Sequence, residues 1–122
     1  MAGITVKKYT EGNTLNLTNG SFSRIILSSA QVNGGTVTGG YSVFKPGTIT
    51  KQMVHEVEEI AYVVSGKGNI IGGQETFHFE EGDFIYIPAK VPHGIENQFD
   101  QDLVMVFFFP SAGYPKTFTV DQ

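Results

Sequence analysis

Glycine-bearing turns interrupt this chain every few residues, and that punctuation constrains its fold more than any other feature. Asn33-Gly34-Gly35, Lys45-Pro46-Gly47, Ser65-Gly66-Lys67-Gly68, Gly72-Gly73 and Glu80-Glu81-Gly82-Asp83 each place a residue that tolerates positive φ where the chain must reverse. Between them lie short runs rich in Val, Ile, Thr, Phe and Tyr, and no segment sustains a helical apolar repeat. The runs predict strands near residues 4 to 8, 14 to 17, 22 to 28, 37 to 45, 49 to 55, 59 to 65, 68 to 71, 75 to 79, 83 to 87 and 91 to 96, with an eleventh at 103 to 109. Residues 10 to 21, polar and rich in Gly, Asn and Thr, read as an edge arm. Many short strands hide their edges by closing into a barrel or a two-sheet jelly roll, which leaves a cavity at one end. The expectation is one all-β domain spanning residues 1–122.

Charge and composition narrow the function. Eight Lys and Arg against twelve Asp and Glu give a formal charge of −4, and no basic run could neutralise a row of phosphates. Nucleic acid is therefore not an expected partner. With no Cys, the chain has neither disulfide, thiolate metal site nor Cys nucleophile, so a metal must rest on His, carboxylate or Met. The first residues lack an apolar signal core and no apolar stretch reaches the roughly 18 residues of a membrane span, so the expected location is cytoplasmic, away from membranes.

Three side chains stand out as a candidate metal set. His55 and Glu59 flank a strand reversal, and His93 follows the turn Ile87-Pro88-Ala89-Lys90-Val91-Pro92. Strand alternation puts Met53 and His55 on one face, and Glu59, Ala61 and Val63 on one face of the next segment. Two imidazoles with one carboxylate suit a borderline divalent ion and leave coordination positions open. The bland reading is that both histidines are core or rim residues satisfied by the backbone; a carboxylate buried at position 59 argues against it, being costly unless paired or coordinated. Glu56 and Glu58 are expected to face solvent. His78, between Phe77 and Phe79, is expected to be exposed rather than a ligand.

The residues around this set resemble the two cupin motifs. Gly47 to Gly66 is similar to G-x5-H-x-H-x3-E-x6-G, with Gly47, His55, Glu59 and Gly66 in register. Gly82 to Asn97 is similar to G-x5-P-x-G-x2-H-x3-N, with Gly82, Pro88, His93 and Asn97 in register. The resemblance implies a double-stranded β-helix, a jelly-roll barrel, in which His55, Glu59 and His93 bind one divalent ion: Fe, Mn, Ni, Co, Zn or Cu. It also implies a homodimer.

This chain departs from the motifs at two positions. Met53 stands where the first motif has its first His, so the family's fourth protein ligand is either missing or a soft thioether; packing is the commoner fate of Met, and Met53 is read as a pocket wall. Lys90 replaces the turn glycine of the second motif, and a positive φ there would cost on the order of 1 kcal/mol. Most of the aromatics, Phe22, Phe44, Tyr62, Phe77, Phe79, Phe84, Tyr86, Phe99 and Phe107-Phe108-Phe109, are expected in the core. Phe44, Met53 and Phe109 are the expected lining of an apolar substrate pocket beside the metal.

The resemblance implies two alternative functions. One is a metalloenzyme acting on a small apolar or enolisable molecule, with dioxygenase chemistry slightly preferred over isomerase, lyase or cyclase; beyond the ligands, only Tyr62 or Tyr86 offers an acid or base, if either reaches the pocket. The other is a non-catalytic sensor or carrier of small molecules, which the loss of the first motif His fits.

Overall fold

A computed structural model describes residues 3–120, which contain twelve strands and no helix. In chain order these are β1 (Asn13–Asn16), β2 (Phe22–Leu27), β3 (Thr38–Phe44), β4 (Thr48–Ile49), β5 (Gln52–His55), β6 (Glu59–Ser65), β7 (Lys67–Gly72), β8 (Glu75–Glu80), β9 (Phe84–Ile87), β10 (Gly94–Asn97), β11 (Leu103–Phe109) and β12 (Thr117–Val120). They form a six-stranded sheet, β1-β2-β3-β11-β6-β9, a four-stranded sheet, β4-β10-β7-β8, and a two-stranded ribbon, β12-β5. Every pairing is antiparallel.

The expected strand at 49 to 55 is in fact split, for a reason that bears on the site. Ile49 pairs with Glu96, whereas Met53 bridges His93, so four steps on one side match three on the other. The extra residue is a bulge, which bends the strand and re-aims its side chains. At the bend the Thr50 amide donates to the Ile95 carbonyl and its hydroxyl accepts from the Ile95 amide, both at 2.9 Å, so the break leaves no orphan there.

Period-two alternation fills the interior. On β11, Leu103, Met105, Phe107 and Phe109 are buried while Phe108 is exposed; on β6, Ala61 and Val63 are buried while Ile60 and Val64 are exposed. These residues join Phe44, Ile70, Phe79 and Ile87 in one cluster drawn from both large sheets. Each Val, Leu, Ile, Met or Phe side chain among them contributes on the order of 1.5–3 kcal/mol. Gly40 lets β3 lie close to β11, because a Cβ there would collide with the Phe107 ring and the Arg24 carbonyl.

Three expectations are corrected. Residues 4 to 8 form no strand, and Ile4 and Val6 are exposed. The stretch 91 to 96 begins as β10 only at Gly94, because Pro92 has no amide hydrogen to extend the ladder. Of the aromatics expected in the core, only Phe44, Phe79, Phe107 and Phe109 are buried among the described residues; Phe77, Phe84, Tyr86 and Phe108 are exposed. A further strand, β12, lies beyond the expected set.

Candidate metal centre

Three elements converge at one end of the barrel. The β5 strand carries His55 at its last position, the turn Glu56-Val57-Glu58 reverses the chain with both glutamates exposed, and β6 opens with Glu59 on the same inward face as Ala61. His93 precedes β10, lies beside β5 and is clamped to it by two backbone hydrogen bonds, Met53 amide to His93 carbonyl (2.8 Å) and His93 amide to Met53 carbonyl (3.0 Å). Lys90 shapes the turn before it. Its φ is 67°, the left-handed region in which the motif has glycine, and its amide donates to the His55 carbonyl at 2.8 Å. That bond ties the His93 turn to the His55 strand, and it requires a backbone amide, which Lys supplies as well as Gly.

The three functional groups meet closely. Glu59 Oε1 lies 3.5 Å from His55 Nε2 and 3.6 Å from His93 Nε2, with side-chain exposures of 13%, 4% and 7% respectively. The potential ligand atoms all lie within 4.8 Å of one another, so the cluster can hold a metal ion.

Both imidazoles have Nδ1 engaged by a partner, which leaves Nε2 turned toward Glu59. His93 Nδ1 lies 2.9 Å from the Val91 carbonyl, which only accepts, so the ring hydrogen sits on Nδ1. His55 Nδ1 lies 2.8 Å from Thr117 Oγ1, and that hydroxyl donates its one hydrogen to the Pro115 carbonyl at 2.8 Å. Thr117 must therefore accept, and His55 too carries its hydrogen on Nδ1. An Nε2 lone pair facing the carboxylate is unfavourable unless a cation lies between them; a metal ion supplies it, as does, at His93, a second ring hydrogen bonded to Glu59.

Burial dominates the electrostatics of His55. It lowers the pKa, with the neighbouring His93 adding to the effect, from 6.5 to about 4, so this ring is neutral near pH 7. Burial also opposes charge on His93, but hydrogen bonding to Glu59 and to the Val91 carbonyl, with the Glu59 charge, outweighs it and raises the pKa.

A cavity opens beside the cluster, walled by Phe44, Met53, Ile70, Met105, Phe107 and Phe109 among others. Phe44, Met53 and Phe109 all lie on this wall. Its volume is about 70 Å³, on a scale where one water needs roughly 10–15 Å³. The occupant must be small or reach out through the mouth. His78 is exposed and bonds Asn69 (3.1 Å), away from the site.

Neither tyrosine considered from the sequence reaches this cavity. Tyr62 points outward to stack on Phe84 at 4.7 Å, and Tyr86 is exposed with its hydroxyl on Glu58 at 2.7 Å. Tyr114 is the tyrosine on the wall, with its ring 5.9 Å from His55 and 5.5 Å from Phe109. Burial and the Glu59 charge raise its pKa, which hydrogen bonding with Thr117 only partly offsets, so it stays a neutral phenol. Tyr114 and Thr117 both lie after β11; the alternating run Thr117-Phe118-Thr119-Val120 was the available signal for a last strand.

Comparison with known proteins agrees with this geometry. The cupin-domain family profile matches residues 40–109, more than half of the chain, and the chain belongs to the cupin family. An uncharacterised protein of Streptomyces coelicolor is 34% identical over 71 residues, 58% of this chain and 68% of that protein. An uncharacterised protein of Methanocaldococcus jannaschii is 43% identical over 51 residues, 39% of this chain and 41% of that one. Among solved structures, the polyketide cyclase RemF of Streptomyces resistomycificus superposes with a TM-score of 0.81 at 17% identity, covering 98% of this chain and 87% of that one. Oxalate decarboxylase of Bacillus subtilis gives 0.77 at 23%, with 88% of this chain but only 30% of the larger enzyme covered. At these identities the structural likenesses establish the jelly-roll fold. The family match ends at Phe109, so Tyr114 and Thr117 lie outside it.

Proposed function

We propose that this cupin is a metal-dependent enzyme for a small, apolar or enolisable organic substrate, with His55, Glu59 and His93 holding one divalent ion. The observation that carries the reading is the convergence of His55 Nε2 and His93 Nε2 on the part-buried Glu59 carboxylate, each ring held by its Nδ1 partner. Nitrogen and oxygen donors suit Fe(II), Mn(II), Co(II), Ni(II) or Zn(II), and Met53 serves as wall rather than ligand. When bound, the ion supplies Lewis acidity and, if redox-active, the means to use dioxygen. An oxygen-dependent reaction is our preferred chemistry, because three protein ligands on one side leave room for substrate and oxidant together.

The chain's own residues would do the remaining work. Phe44, Phe107 and Phe109 exclude water and select apolar carbon. Tyr114 is the one ionisable wall residue besides His55, Glu59 and His93 among the described residues, and its neutral hydroxyl would be the donor available to a developing oxyanion. The wall carries no Lys or Arg, so a phosphorylated substrate finds no clamp. As fold relatives, a polyketide cyclase and oxalate-degrading enzymes are consistent with small oxygen-rich carbon substrates.

Metal analysis of protein purified without chelator tests the reading. One equivalent of a divalent ion that is lost in His55→Ala and His93→Ala is expected, with oxygen uptake on 1,3-dicarbonyl or phenolic compounds by the loaded protein. Protein that stays metal-free at millimolar Mn(II), Fe(II) and Co(II) yet binds such compounds would instead make it a non-catalytic carrier.

A further inference from the structure

Thr117 lies 62 positions after His55 and beyond the segment that matches the cupin family, yet it touches the His55 ring more closely than any other polar group among the described residues. It opens β12, whose one strand partner is β5, in the register Thr117↔His55 to Val120↔Gln52. The Thr117 hydroxyl donates to the Pro115 carbonyl two residues back, so toward the ring it can only accept.

Glu59 makes this acceptor matter. A neutral histidine carries one ring hydrogen, and at His55 two acceptors compete for it: Thr117 Oγ1, 2.8 Å from Nδ1, and Glu59 Oε1, 3.5 Å from Nε2. A carboxylate is the stronger acceptor, and a hydrogen held toward Glu59 would occupy the lone pair a metal needs. Remove the Thr117 oxygen and Nδ1–H is left buried without a partner, while Nε2–H gains one.

We propose that Thr117 is the positioning residue of the metal centre: by accepting the His55 Nδ1 hydrogen it keeps Nε2 open toward Glu59 and His93. This rests on the reading of His55, Glu59 and His93 as a metal site. The C-terminal strand thereby becomes part of the centre, although it contributes no ligand.

The test uses full-length Thr117→Val, which keeps the β-branched shape, and Thr117→Ser, which restores the oxygen. Calorimetric titration with Mn(II) and Co(II) should show Thr117→Val weakened by about 10–100-fold and Thr117→Ser within about threefold of wild type. Nitrogen-15 NMR of the imidazoles in metal-free protein near pH 7.5 should find His55 with its hydrogen on Nδ1 in wild type and Thr117→Ser, and on Nε2 in Thr117→Val. Wild-type His55 carrying its hydrogen on Nε2 would overturn the proposal whether or not any variant folds. So would Thr117→Val that binds metal as tightly as wild type. Wild type that binds neither ion would sink the metal reading itself, and the ligating role of His55 with it.

Discussion

The two limbs that bring histidine to the site solve one chemical problem in different ways. His93 satisfies its Nδ1–H within its own turn, on the carbonyl of Val91, whereas His55 depends on a hydroxyl from the far end of the chain. Local support is ready as soon as the turn from Pro88 to His93 forms; long-range support exists only once β12 has docked on β5. The two rings are similarly buried and equally near Glu59, yet they are not equally secure. His55 is the ring whose Nδ1 partner the tertiary structure must bring from afar.

The largest expected effect bears on whether both limbs carry a ligand at all. His55→Ala and His93→Ala should each weaken Mn(II) or Co(II) binding by more than about 100-fold, since loss of a ligand exceeds the roughly 10–100-fold of a supporting residue. Titration calorimetry measures it. Equal and complete losses would show both limbs to be ligand-bearing, while retention of tight binding in one variant would remove that limb from the site.

A pH series on metal-free protein separates the two rings further. His55, lowered from 6.5 to about 4, favours the neutral ring, so its contribution to stability is complete above 6.5 and is lost as pH falls toward 4. His93 is raised, so its contribution is present below 6.5 and fades as pH climbs through its raised value. Relative to wild type, His55→Gln should flatten the acid side of a melting-temperature profile by up to about 3 kcal/mol equivalent, and His93→Gln the alkaline side. Flattening on the same side in both would refute the assignment.

A smaller effect tests the turn. Lys90 holds φ 67° while its amide binds the His55 carbonyl, so Lys90→Gly should keep the bond and relieve up to about 1 kcal/mol of strain. Chemical denaturation should show a higher midpoint without change in slope; a clear destabilisation would mean that the Lys90 side chain supports the turn by other contacts. Smallest of all is Met53→Leu, which should leave metal affinity within about twofold because the thioether is cavity wall. A tenfold loss in the same titration would make Met53 a ligand.

Much of the barrel was readable in one dimension. The strands at 59 to 65 and 103 to 109 are β6 and β11 to the residue, because a half-buried strand writes its alternation directly into the order of apolar and polar side chains. The same rule fails on the outward faces, where Phe77, Phe84 and Tyr86 are aromatic and exposed: composition marks them as apolar but cannot say which sheet face has a partner. The bulge that divides β4 from β5 also escapes, since a one-residue mismatch is a relation between two strands and not a property of either.

His55, Glu59 and His93 could thus be picked out from the order of residues, through the spacing of two motifs, and so could the turn glycines that let the strands reverse. Lys90 was legible as a departure, and its left-handed backbone is the cost of replacing glycine in that turn. Which tyrosine faces the site, and which group meets His55 Nδ1, emerged only from the packed barrel. Tyr114 and Thr117 come after the last motif, and hydrogen bonds across 62 residues obey no sequence period. A motif records ligands that several strands must present in register; the acceptor behind a ligand can come from any segment that packs there, and here the final strand supplies it.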